Sequence, residues 1–470
     1  MKKITILLSI FFGSVILGYA QQNALHMTFE SAVEMAMSRN GQIKINYYNE
    51  EIKRKEKKIA ATLRSPQFLF GANYTYMSGP VSLDLNGYKD AVGKILPMLN
   101  LPLPPELVSQ FMGKDWKAEL QKRQFAVMGF SAVVPIFTGG KINVANRAAR
   151  IAIDEQDAAS LEKIGDLYNE TVERYYGLLM AVHLVEVREQ VLAGMQQHLH
   201  DAIELEKNGT IAKVERLYAQ VKVSEASSEL KKAMSAVQTI RTALSATIGV
   251  TDQIAPISSL FILKSVAPSD DFKRLALENN PKLKQVALKE KLAKEGLKLQ
   301  RASYYPQLAA MGGYDVYNYQ LTSMAPKWVV GAGLKLTIFD GLNREFKVSA
   351  AKSQIKMVEA VKDKANTDIS ALVEKQYNEM LSERDNVTSQ EATIEFATEY
   401  LRVKKIAFSE GSATSVDVTD AILNLAKARI ERLNSAYQFD KNLSLLLQTC
   451  GDSFRFAELK NSASYQQIEK

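Results

Sequence analysis

Residues that could do chemistry are few, and their spacing does not suit it. His26, His183, His198 and His200 stand apart from any cysteine and from carboxylates at metal-ligand spacing. His198 and His200 lie two apart in a helical pattern, so they face different directions and read as solvated. The single cysteine, Cys450, leaves no intramolecular disulfide, and neither a Walker-type phosphate loop nor a serine-centred nucleophile elbow is present. The chain therefore reads as no enzyme, with no cofactor and no metal, and energy for any work would come from a partner. The most defined polar pattern is Thr414-x-x-Asp417, a capping box whose acid is favoured by the exposed N–H groups of a helix start, with Asp420 three residues on.

The elements that carry these residues are better marked. Met1-Lys2-Lys3, an uncharged stretch from Ile4 to Leu17, and Gly18-Tyr19-Ala20 predict a signal peptide over 1–20. Its apolar run falls short of the ~20 residues of a spanning helix. Cys450 lies far from the break, so no lipid-modified N-terminal cysteine is expected. No later segment is apolar enough to span, and mean hydropathy is -0.14. What remains is a soluble chain or a β-barrel, whose alternating strands escape hydropathy. The net charge of +7 falls to +5 once Lys2 and Lys3 are removed, and it is scattered along helices. No basic block is interleaved with aromatics, so no nucleic-acid partner is expected.

The chain is written twice. Residues 36–41, Pro66-Gln67 and Tyr74 recur as residues 276–281, Pro306-Gln307 and Tyr314, all at a shift of 240. Ile136-Phe137-Thr138-Gly139, Asn208-Gly209-Thr210 and Thr247-Ile248-Gly249 recur as Ile338-Phe339-Asp340-Gly341, Glu410-Gly411-Ser412 and Thr449-Cys450-Gly451, at a shift of 202. The change of shift places 38 extra residues in the first copy, between Tyr76 and Phe125.

Within each copy the hydrophobic period changes in a fixed order. Helical spacing over about 31–63 and 272–301 gives way after a proline to a period of two. Phe68, Phe70, Ala72, Tyr74 and Tyr76 alternate with small or polar residues, as do Trp328, Val330, Ala332, Leu334, Leu336 and Ile338. Such alternation fits a sheet on a soluble core, but strands of about ten residues behind a secretory signal fit a membrane barrel better. Four strands cannot close alone, since small barrels take ~8, so subunits must pool them. Long helical patterns follow over about 141–207 and 343–409, and some 65 residues at ~1.5 Å each make a rod of roughly 100 Å. Glycine turns then send the chain back along second helices. The expected fold is mainly α with a membrane β-barrel: a duplicated helix-strand-strand-helix-helix repeat with long coiled-coil helices. Its expected parts are a first repeat over 21–252 (strands about 67–78 and 124–136), a connector over 253–268, a second repeat over 269–451 (strands about 306–319 and 327–339), and a polar tail over 452–470.

This ordered duplication resembles the TolC-like outer-membrane efflux proteins over roughly Met27 to Gly451. The resemblance rests on Pro135 to Gly140 and Thr337 to Gly341 at the strand-to-helix joints (Phe137, Gly139, Gly140, Phe339 and Gly341), on Tyr305-Pro306, and on Gly411 to Ala421. It implies a homotrimer in the outer membrane and its lipid, with the long helices forming a periplasmic coiled-coil α-barrel. A periplasmic adaptor and an inner-membrane transporter would be its partners, in multidrug efflux or type I secretion. It also implies an entrance ringed by Asp417 and Asp420, with Glu215 at the equivalent first-copy position, and adaptor contact at the tips Gly209, Thr210, Gly411 and Ser412. The residues 77–123 depart from the family pattern as a long apolar first outer loop, read as a family-variable surface loop that could also cover the barrel mouth. The rival reading, a periplasmic coiled-coil adaptor or scaffold without a pore, leaves four amphipathic strands without a purpose.

Overall fold

The computed structural model describes residues 25–251 and 253–461 and the backbone of 465–467. The expected signal peptide lies outside the described residues. In chain order the elements are β1 (Leu25–Met27), α1 (Phe29–Arg39), α2 (Gly41–Thr62), β2 (Gln67–Tyr76), β3 (Val81–Asp84), α3 (Lys89–Ile95), α4 (Pro105–Gly113), β4 (Lys117–Gln121), β5 (Gln124–Phe137), α5 (Lys141–Lys207) and α6 (Lys213–Ile248). The second half runs β6 (Ile254–Pro256), β7 (Phe261–Leu263), α7 (Ser269–Asn279), α8 (Pro281–Arg301), β8 (Gln307–Tyr319), β9 (Trp328–Lys335), α9 (Asn343–Ser409), α10 (Ser415–Thr449), α11 (Arg455–Lys460) and β10 (Tyr465–Gln467). Both long helices have 67 residues, and their bounds differ by the same shift of 202 that relates the sequence repeats.

The chain forms two compact units. The first comprises residues up to 50, 156–287 and from 361 onward. Its core is an aromatic cluster of Phe29, Tyr168, Tyr175, Tyr176, Phe261, Phe439 and Phe456, all at most 1% exposed. Phe29 packs edge-on against Tyr168 and Phe456 at 5.8 and 5.4 Å between ring centroids, a favoured geometry for aromatic pairs. Repeat symmetry reaches single atoms here. Asn40 Oδ1 accepts the Gln42 N–H at 2.8 Å while its Nδ2 donates to Thr247 O at 2.8 Å. Asn280 does the same with the Lys282 N–H and Thr449 O, both at 2.8 Å. Each asparagine thus caps one helix and satisfies a carbonyl at the end of another.

Two expectations change in this unit. The tail is not simply polar chain: Phe456 is fully buried in the aromatic cluster, and the backbone of β10 pairs antiparallel with β7. The connector contains β6, which runs parallel to β1. Three-residue strands are too short for a periodicity to mark them.

The second unit, residues 51–155 and 288–360, holds one antiparallel sheet in the order β2-β5-β8-β9. Phe70, Phe130, Tyr314 and Trp328 stand side by side across all four strands, and each is more than half exposed. On the opposite face Gly71 lies beside Gly129, and Leu69, Ser131, Gly313 and Val329 form a row of mixed size. Among the described residues β2 pairs only with β5 and β9 only with β8, so both edges are open. β9 ends at Lys335 rather than near 339, because its last partner is Gln307 and the preceding Pro306 has no N–H to extend the ladder. Arg344 takes over there, donating to the carbonyls of Thr337 and Ile338 at 2.7 and 3.0 Å. β2 likewise stops at Tyr76, opposite Gln124.

The residues 77–123 form structure of their own. β3 and β4 pair antiparallel and enclose α3 and α4, and Trp116 Nε1 donates to Phe111 O at 3.0 Å. Gln121 ties this insertion to the turn between β8 and β9, donating to Gln320 O and accepting from the Thr322 N–H at 2.8 Å each.

Candidate functional site

In the first unit, the ends of α5 and α9 form matched tips. Thr210 N–H donates to Leu205 O and Gly209 N–H to Glu206 O, both at 2.9 Å; Ser412 and Gly411 repeat this with Ala407 O at 2.9 Å and Phe408 O at 3.0 Å. This is the Schellman closure of a helix, and it needs a left-handed residue where Gly209 (φ 75°) and Gly411 (φ 73°) stand. A Cβ built on Gly411 would touch Thr210 Cγ2 at 3.4 Å. The four tip residues expected as partner contacts are therefore neighbours.

Asp417 fills the capping box read from the sequence: its Oδ2 accepts the Thr414 N–H at 2.9 Å, and Thr414 Oγ1 accepts the Asp417 N–H at 3.3 Å. Its other oxygen binds Lys404 Nζ at 2.8 Å, a pairing that sequence spacing did not reveal. Hydrogen bonds from Lys404, then from the Thr414 N–H and hydroxyl, hold this carboxyl well below the usual range. Asp420 is exposed, and its field helps raise the Lys222 ammonium, after the larger effect of the Glu225 hydrogen bond. The two aspartates thus differ, one neutralised and tied into a helix start, the other open. Glu215 does not repeat the role of Asp417. The N-cap of α6 is Ala212, which offers no side-chain cap, and Glu215 Oε2 accepts the Ser415 N–H at 2.7 Å, so the first copy caps the second copy's helix.

Two histidine readings are corrected. His198 is 3% exposed and stacks against Phe408 at 4.6 Å between ring centroids; burial lowers its pKa, against the opposing fields of Asp201 and Glu215. It sits on the apolar side of α5, which a flanking pattern of Gln, His and Asp conceals. His183 Nδ1 meets Glu186 Oε2 at 3.2 Å, three residues along the same helix.

In the second unit, the joints turn strand into helix. Gly139, Gly140 and Gly341 all have positive φ, and Phe137 and Phe339 are exposed. A Cβ on Gly139 would lie 2.3 Å from Ala302 O, so the first joint is closed over the segment that precedes β8. Among the described residues no cluster of three or more His, Cys, Asp or Glu is placed to hold a metal. No described helix is long and apolar enough to cross a membrane.

The chain thus combines an open-edged sheet that carries an aromatic face with two pairs of long helices. Residues 273–452 match the outer membrane efflux protein family model. The cobalt-zinc-cadmium resistance protein CzcC of Cupriavidus metallidurans is 24% identical over 309 residues, covering 64% of this chain and 71% of that protein. Among solved structures, CusC aligns with a TM-score of 0.73 at 13% identity, covering 91% of this chain and 92% of that one. VceC of Vibrio cholerae aligns at 0.68 and 14%, covering 91% and 96%, and CmeC of Campylobacter jejuni at 0.70 and 14%, covering 92% and 89%. Residues 273–452 thus carry the pattern of the outer membrane efflux protein family model, and over at least 91% of its length the chain shares the fold of CusC, VceC and CmeC.

Proposed function

We propose that this chain is one third of a homotrimeric conduit through which exported compounds pass passively, fed by a periplasmic adaptor and an inner-membrane transporter. The observation that carries the reading is the sheet. Its four strands end in two open edges and expose Phe68, Phe70, Trp328, Val330 and Leu334 on one face. An isolated sheet with such edges is an aggregation hazard in water. Three copies supply twelve strands, which closes a barrel and puts the aromatic face into lipid. Two copies would supply ~8, the lower bound for closure.

In the first unit, the paired tips at Gly209-Thr210 and Gly411-Ser412 are proposed as the adaptor's seat, and Asp420, with Asp417, as the wall of the periplasmic aperture. In this arrangement Asp420 supplies the open charge, while Asp417 anchors its helix through Thr414 and Lys404. Cross-linking of the purified chain in detergent tests the assembly. Products should end at three subunits, and a monodisperse monomer with full β-content excludes a shared barrel.

A further inference from the structure

The second unit carries a strongly charged feature that the conduit leaves unused. Between Lys53 and Arg64 the sequence places six cations against one carboxylate. Arg54, Lys57 and Lys58 follow the spacing i, i+3, i+4 and so share a face of α2. With Arg150 of α5 they line a groove of about 540 Å³, which Glu51, Lys55 and Ile153 also border. Lys55 is answered by Glu51 at 3.5 Å and Lys53 by Glu56 at 2.9 Å. Among the described residues, nothing forms a hydrogen bond or ion pair with Arg54, Lys57, Lys58 or Arg150.

The second copy shows that the fold does not require this imbalance. There the four equivalent positions are Lys294, Leu297, Lys298 and Lys352. Lys294 is held by Glu290, Lys298 by Glu295 at 2.7 Å, and Leu297 stands in place of Lys57, so of these four only Lys352 is a cation without a partner among the described residues. Like charges crowded in one groove repel unless an anion joins them, and the first copy leaves four such cations where the second leaves one.

We propose that this groove binds the phosphate of an anionic phospholipid headgroup in the periplasm-facing leaflet, an inference that rests on the outer-membrane reading above. Lys58 lies about one helical turn before α2 ends, and the chain enters β2 at Gln67, so the groove adjoins the start of the sheet. Arg54 and Arg150 offer planar forks that match phosphate oxygens, and the lysines add point charges. Ala61 and Ile153 in the lining, and the exposed Ile59 beside it, give the start of an acyl chain an apolar path that free phosphate would not use.

The test uses the full-length protein in neutral detergent with a fluorescent phosphatidylglycerol analogue. Unlabelled phosphatidylglycerol should displace the probe, whereas phosphatidylcholine and millimolar inorganic phosphate should not, and binding should weaken with salt. Each cation near a lipid surface is worth roughly fivefold, so Arg54→Gln, Lys57→Gln, Lys58→Gln and Arg150→Gln together should weaken binding by about 100-fold or more. The control Lys294→Gln, Lys298→Gln should bind as wild type does. Both variants should keep their oligomer and their conductance in neutral planar bilayers, which separates failure of lipid binding from failure of the channel. Displacement by inorganic phosphate, displacement by phosphatidylcholine, or undiminished binding by the quadruple variant overturns the proposal. So does an oligomer that falls apart without regard to lipid, which would make the groove a subunit contact. If the quadruple variant fails to fold, Arg150→Gln alone should still weaken binding about fivefold, and the displacement series on wild type needs no variant.

Discussion

Ala332→Arg probes the orientation of the sheet. Ala332 sits opposite Ala310 on the same face as Trp328 and Leu334. Four residues at ~3.4 Å each place it roughly 14 Å along β9 from Trp328. With strands tilted ~40°, that is about 10 Å below the aromatic level, near the middle of an apolar band ~25 Å tall. An arginine at that depth costs ~2–4 kcal/mol per subunit, and about three times as much for a barrel of three. The neighbouring Gly333 points to the other face, where an added Cβ meets only the flexible end of Met311 at 3.0 Å, so Gly333→Ser should cost under ~1 kcal/mol. The assay is the fraction of heat-resistant oligomer in outer-membrane extracts, followed by urea titration of protein refolded into vesicles. Ala332→Arg should deplete the oligomer and lower the midpoint, while Gly333→Ser stays near wild type. Equal, normal oligomer from both variants, or the opposite order, refutes the assignment of faces.

Three further outcomes follow from the joints and the tips. Gly139→Ala forces a Cβ to within 2.3 Å of a backbone oxygen at a positive φ, so it should destabilise the joint by at least ~2 kcal/mol, read as a lower urea midpoint; an unchanged midpoint would show that the joint opens freely. Replacing Asp417 and Asp420 together by Asn keeps the caps and removes the charge, so single-channel block by a trivalent cation from the periplasmic side should disappear without loss of helix content. Retained block in the folded variant would move the constriction elsewhere. Burial lowers the His198 pKa from 6.5, so the fold favours the neutral ring: its contribution is fully present above pH 6.5 and is lost as pH falls through the folded pKa. Hydrogen exchange around residues 195–212 should therefore quicken at pH 5.5 relative to 7.5, after correction for intrinsic rates, and His198→Leu should remove that difference.

Large-scale order was legible because periodicity and repeats encode it. The change of hydrophobic period marked the long helices and the strands, the shifts of 240 and 202 aligned the two copies, and α5 and α9 have the same length with an offset of 202. Contacts that join distant residues left no such trace. Lys404 reaches Asp417 across a turn, Glu215 caps a helix 200 residues later, and Phe456 enters a core that its polar neighbours disguise. Thr414 and Asp417 were readable because a cap is local in sequence. His198 was misread because a polar flank says little about which side of a long helix is covered.

The most direct test of the conduit is electrical. Purified oligomer added to a planar bilayer should insert and give discrete, uniform conductance steps, and cross-linking of the same sample should end at three subunits. Folded, membrane-inserted protein that passes no current would contradict a continuous pore and leave the helices as a scaffold.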